Sequence, residues 1–244
     1  MPRASALGAG NTIWSTLTNS SVSIAGRECL FYEAGSPRYI LIQPLGNHEK
    51  PGLDNEVELI HSFSGIPFAM AAFQVLDWDM DLSPWHDPAI NRDPAVGSAS
   101  GDTLGFVTDD LIPVIISKFG DLPIILGGYS LGGLFSLWAA TVTARFTAIA
   151  AASPSLWIRG WEKYSIDHPT KTSVVYLSLG DREEHVRNRS IAKVGDAVRS
   201  EYASFFSAPS YWMPVVFGEG RHRAPVTGLS RIPGAGHLQE FLSG

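Results

Sequence analysis

Residues 123–143 read PIILGGYSLGGLFSLWAATVT. The run from Pro123 to Tyr129 is nearly continuous in apolar residues, as expected of a strand buried on both faces. From Leu131 to Thr143 the spacing changes to that of a helix. Between them stands G-x-S-x-G, formed by Gly128, Tyr129, Ser130, Leu131 and Gly132. A chain that passes from strand to helix within two residues must put Ser130 on a sharp, strained turn, and the glycines let the two elements cross without a Cβ clash. The helix N-terminus then lies beneath the Ser130 hydroxyl, where unpaired N–H groups and the dipole favour developing negative charge. The five-residue pattern is weak alone in a chain with 24 Gly. Its strand-before, helix-after context is what gives it meaning.

Outward from this stretch the same alternation continues. Strands are expected over 21–25, 29–33, 39–43, 68–75, 123–129, 146–151, 173–179 and 212–217. Helices are expected over 53–62, 102–118, 131–143 and 186–206. Strands alternating with helices of 10–20 residues predict an α/β fold with a mostly parallel central sheet flanked by helices, a three-layer sandwich whose sites lie at the carboxyl ends of the strands. A strand–turn–Ser–helix unit in such a sheet is the nucleophile elbow of the α/β-hydrolase fold. No repeat or linker divides the chain, so 1–244 reads as one domain. Residues 77–101, DWDMDLSPWHDPAINRDPAVGSASG, have no period. An irregular segment of that length in a compact domain is usually functional, and this one is expected to cover the pocket.

A nucleophilic Ser needs a base, and the base an orienting acid, in the chain order Ser, acid, His for this fold. Downstream of Ser130, SVVYLSLGDREEH is a buried strand ending at Gly180 and a cluster of Asp181, Glu183 and Glu184. Glu183 is favoured as the acid because the turn needs a short lead before a side chain can point back. Asp181 and Glu184 stay open, since carboxylates also favour a solvated helix start. His168 precedes the acid and His185 adjoins it. His222, on the loop after the last expected strand, is the preferred base, with His237 as the alternative. The oxyanion is assigned to the backbone N–H of Leu131 and to a second N–H at the end of the 39–43 strand. Pro44 has none, so the donor there is Gln43 or Leu45. Tyr129, Trp78, Trp85 and Trp157 are expected to line an aromatic pocket, against the plainer reading that each Trp packs a loop.

Composition removes other classes. The net charge of −6 opposes non-specific nucleic-acid or anionic-membrane binding. The 18 basic residues are scattered rather than gathered in a tail. The single Cys, Cys29, excludes an internal disulfide and a Cys-based zinc site, and within ECLFY it reads as a buried structural thiol. No HExxH, GxGxxG or P-loop pattern points to a metal or nucleotide, so no cofactor and no metal are expected. No apolar run is long enough to span a bilayer, and MPRASALGAG lacks the apolar core of a signal peptide, which makes a cytoplasmic location the expectation.

Taken together, LIQP at 41–44, DLSPW at 81–85, the DTL and LIP steps of 102–113, GGYSLGGLFSLWA, AAASPSLW at 150–157, LSLGDREE and VGDAVR at 194–199 resemble the esterase branch of the α/β-hydrolases. That group includes enterochelin-esterase-like and esterase D-like proteins. The resemblance covers about residues 38–206. It implies Ser130 as nucleophile, an acid in the GDREE turn and a His in a G-x-H loop; His222, 41 residues after Asp181, suits the family's spacing better than His237. The tail differs from the family: Arg223 follows the His, and Pro225, Gly228, Pro233, Gly234 and Gly236 interrupt any terminal helix. The expected activity is that of a serine carboxylesterase acting on small or aryl and acyl esters. An acyltransferase on the same Ser, or an inactive binding module, are the alternatives. The expected partner is a small-molecule ester; the oligomeric state is not legible.

Overall fold

A computed structural model describes residues 17–64, 66–90, 93, 98–172, 174–180, 183, 191–206 and 215–218. Eight strands form one sheet in the order β1-β2-β4-β3-β5-β6-β7-β8. They are β1 (Thr18–Ile24), β2 (Arg27–Glu33), β3 (Tyr39–Leu45), β4 (Phe68–Gln74), β5 (Ile124–Tyr129), β6 (Ala148–Ala152), β7 (Val175–Gly180) and β8 (Val215–Gly218). The β1–β2 and β2–β4 pairs are antiparallel, and every other pair is parallel. This is the α/β-hydrolase arrangement expected from the alternation of elements.

Side chains alternate between two apolar cores, one on each face. Ile40, Ile42, Ala69, Ala71, Phe73, Ile124 and Leu126 join one core. Tyr39, Leu41, Phe68, Met70, Ala72 and Ile125 join the other. Helix α1 (Leu53–Ser64) closes the second core through Leu53, Val57 and Ile60. The first core is closed by α2 (Trp78–Leu82), α3 (Ser100–Gly105), α4 (Ile112–Phe119), α5 (Leu131–Val142), α6 (Trp161–Asp167) and α7 (Val194–Phe206). Cys29 is fully buried on β2, and burial pushes its thiol up to about 11, which keeps it protonated and inert.

Three elements differ from expectation. The helix expected over 102–118 is α3 and α4 joined by a π-helical turn, Phe106–Leu111. Pro113 has no N–H and its ring would press on the carbonyl of Asp109, so the turn widens ahead of it. The aperiodic 77–101 stretch contains α2, capped by Asp77, whose carboxylate accepts from Met80 N–H at 2.9 Å. Helix α6 has no counterpart in the expected helices, and places Trp161 in the core, 2% exposed. Its seven residues are too few for a helical period to stand out.

The chain runs from β3 to β4 on one side, then crosses over to β5 on the other. The β3–β5 boundary is therefore the topological switch point, where a crevice opens at the strands' carboxyl ends. The pairing supports this: β3 and β5 are in register only over Ile40–Ile42 and Ile124–Leu126, and the strands part beyond it. Ser130 follows β5 directly.

Substituting two glycines separates packing from propensity. A Cβ on Gly128 would lie 2.5 Å from the carbonyl carbon of Gly132, backbone against backbone. Gly128→Ala is expected to destabilise by about 3 kcal/mol or to abolish folding. Gly105, helical and with nothing within 4 Å of its built Cβ, should gain up to about 1 kcal/mol on Gly105→Ala. Thermal unfolding of the two variants checks both signs.

Candidate active site

Ser130 has φ 54° and ψ −116°, a conformation that non-glycine residues rarely adopt. Such strain survives where the surroundings over-determine it. Here Ser130 N–H donates to Ala152 O at 3.0 Å, and Ser130 O accepts from Leu134 N–H and Ser155 N–H, each at 3.1 Å. The Ser130 Oγ lies 3.1 Å from Ser155 Oγ. Leu131 is the first residue of α5, so helix geometry gives its N–H no acceptor within the helix. Gly132 and Gly133 make the close approach possible. A Cβ on Gly132 would stand 3.0 Å from the Pro44 ring, and one on Gly133 3.1 Å from both Gly128 O and the Pro154 ring.

Glu183 is placed just beyond the end of β7, 9% exposed, and accepts a hydrogen bond from Ser153 Oγ at 2.7 Å. The structure thus places Ser130 after β5 and Glu183 after β7, on either side of β6 and its Ser153–Ser155 turn. Asp181, Glu184, His185, His222 and His237 lie outside the described residues. Tyr129 is half-buried beside Ser130. Burial, with the Glu183 and Glu49 carboxylates nearby, pushes its phenol far up, so it stays neutral.

At the end of β3 the strand register decides which N–H groups face Ser130. Ile40 N–H donates to Pro123 O, on the β5 side, whereas Leu45 O accepts from Val75 N–H, on the β4 side. Strand alternation therefore turns the N–H groups of Gln43 and Leu45 toward β4 rather than toward β5 and Ser130. This corrects the expected orientation: the residue that faces β5 there is Pro44. The next N–H of that parity is Gly46, which donates to Glu49 Oε2 at 3.0 Å. Sequence reasoning did not single out Gly46 or Glu49, because the facing direction depends on register.

Of the four aromatic residues expected in the pocket, Trp78 lies against Gly46 and Gly132. Its ring is 3.1 Å from a Cβ built on Gly46 and 3.7 Å from one built on Gly132, and it meets His48 edge-on at 5.5 Å. Trp85 has another task. Its Nε1 donates to Arg159 O at 2.9 Å and its ring packs on Trp161 and Tyr164, which fastens the 77–101 segment to the chain after β6. Asp87, 2% exposed, does the same by accepting from Arg159 N–H at 2.6 Å and Ala89 N–H at 2.8 Å. Trp157 packs, partly buried, against the core. Among the described residues, no group of three His, Cys, Asp or Glu is placed to hold a metal ion, and no helix is long and apolar enough to cross a membrane.

Residues 72–205 match the model of a family described as "Putative esterase". The chain belongs to this esterase family. Ester hydrolysis is accordingly its class of activity. Solved structures of the same fold include an IroE-like serine hydrolase from Shewanella oneidensis, 14% identical with a TM-score of 0.72 over 92% of this chain and 80% of that one. The siderophore hydrolase EstA from Aspergillus nidulans is 16% identical, TM-score 0.66, over 100% and 99%. The BES protein from Bacillus cereus is 13% identical, TM-score 0.57, over 94% and 97%. No curated protein matches the chain by sequence.

One half-buried carboxyl, beside Gln43 of β3, sets a pH dependence of stability. Burial holds Glu56, which accepts from Gln43 Nε2 at 3.3 Å, up to about 7. A folded value above the unfolded one means that the folded state binds the extra proton. Stability from this group is therefore complete below about pH 4.5 and is lost as pH rises through 7. Glu56→Gln should raise the melting temperature at pH 8, on the order of 1 kcal/mol of stability, and leave it nearly unchanged at pH 4.5.

Proposed function

We propose that this chain is a serine carboxylesterase that hydrolyses small or aryl and acyl esters through a Ser130–His222–Glu183 triad. The observation that carries the reading is the strained Ser130 at the switch point, with a buried carboxylate, Glu183, beyond the next strand but one. In this mechanism His222 takes the Ser130 proton as Oγ attacks the ester carbonyl. Glu183 holds the imidazole tautomer and balances the imidazolium. The tetrahedral oxyanion is received by the Leu131 N–H and by a second N–H from the chain leaving β3. There Gly46 is the first residue past Pro44 whose N–H has the required parity, and it would have to exchange Glu49 Oε2 for the oxyanion. His222 then returns the proton to the leaving alcohol, and water activated by the same His releases the acyl group.

Trp78 supplies an apolar wall beside the nucleophile, which suits an aryl or medium acyl group. The siderophore hydrolase from Aspergillus nidulans shares this fold, so siderophore esters belong in the substrate series next to simple aryl esters.

The test is intact mass after treatment with a fluorophosphonate, alongside turnover of p-nitrophenyl butyrate. The wild type should take one adduct, absent in Ser130→Ala, and Ser130→Ala and His222→Ala should each lower kcat by at least about 10⁴-fold. Glu183→Gln should lower it by about 10²–10⁴-fold. No adduct on a folded wild type would refute the triad and favour a binding module. Adduct formation with ester turnover that shifts to transacylation when an alcohol is added would favour an acyltransferase.

A further inference from the structure

The turn after β6, Ser153-Pro154-Ser155, touches both the proposed nucleophile and the proposed acid. Ser153 has φ +42°, the left-handed region that a non-glycine residue enters only under constraint. Its N–H donates to Ser178 O at 2.7 Å, carrying the β6–β7 pairing beyond the strand end. Its hydroxyl donates to Glu183 Oε1, also at 2.7 Å. Ser155, 3% exposed, lies 3.1 Å from the Ser130 hydroxyl and donates its N–H to Ser130 O. The Pro154 ring sits where a side chain on Gly133 would go. A short turn of three residues thus spans from the elbow to the carboxylate.

We propose that this turn is a brace between nucleophile and acid, and that Ser153 is the positioning residue that holds Glu183 ionised and oriented for the base. The inference rests on Glu183 being the acid of the triad. A buried carboxylate without donors drifts toward its neutral form, while a donated O–H favours the charged form. The charged form is the one that can balance an imidazolium. The left-handed backbone is what lets a residue at the end of β6 turn its hydroxyl toward the end of β7. The strain there is explained by that task.

Two substitutions separate this from a structural role. Ser153→Ala removes the hydroxyl and keeps the backbone strain. Ser153→Gly removes the hydroxyl and suits a positive φ, so it folds at least as well. Both should lower kcat on p-nitrophenyl butyrate by about 10–100-fold with KM nearly unchanged. Both should also move the acid limb of the kcat/KM profile downward by about half to one pH unit, because a carboxylate that has lost its donor drifts toward neutral and holds less charge against the imidazolium. Circular dichroism confirms folding, and Glu183→Gln is the reference. A folded Ser153→Gly with wild-type kcat and pH profile, where Glu183→Gln has lost activity, overturns the brace and leaves the triad standing. A Glu183→Gln enzyme that keeps wild-type activity overturns the acid assignment, and the brace with it.

Discussion

Strand β5 and helix α5 approach so closely that the space at Gly128 is filled by the backbone of Gly132. Everything at the site follows from that contact. It lets the chain reverse in one residue, which drives Ser130 to a positive φ and aims its hydroxyl out of the sheet. It brings α5 up under the crevice, with the Leu131 N–H at the helix start. It also lets the Pro44 ring rest on Gly132 and the Pro154 ring on Gly133, so β3 and the turn after β6 close on the elbow from both sides. A methyl group at any of the three glycines would meet backbone or a ring, and the surrounding packing is too dense to absorb it.

The strain at Ser130 has a partner in the strain at Ser153. Both are non-glycine residues at positive φ, both sit at the carboxyl end of a central strand, and both are tied by backbone hydrogen bonds to the strand next to them. Strain of this kind costs stability, and large cores on both faces of the sheet are what make it tolerable. The 77–101 segment contributes in a different currency. Its described residues form no ladder; Asp81 and Asp87 instead accept backbone N–H groups, and Trp85 donates to the Arg159 carbonyl. Side-chain acceptors thus replace sheet partners for a backbone that would otherwise be unsatisfied.

Much of this was legible in the residues themselves. The near-continuous apolar runs identified the parallel strands, because a strand covered on both faces has no polar positions to alternate. The elbow was legible because its requirement, glycine on either side of a Ser between strand and helix, is local. Glu183 was legible as a carboxylate on a turn after a buried strand; its burial and its hydrogen bond to Ser153 were not, since those partners are 30 residues apart in sequence. His222 and His237 lie outside the described residues, so the choice between them rests on sequence reasoning alone.

What local sequence determined, then, was the class of fold and the position of the strained Ser130 turn, because hydrophobic period and glycine placement act over a few residues. Tertiary structure alone decided which backbone groups face Ser130. The parity of β3 turns Gln43 and Leu45 to β4, and parity depends on register with strands that come later in the chain. It likewise decided that Trp78 lies beside the elbow while Trp85 and Trp157 pack elsewhere, and that an unremarked Ser-Pro-Ser turn joins nucleophile to carboxylate. Those outcomes depend on contacts between distant segments, which no window of sequence contains.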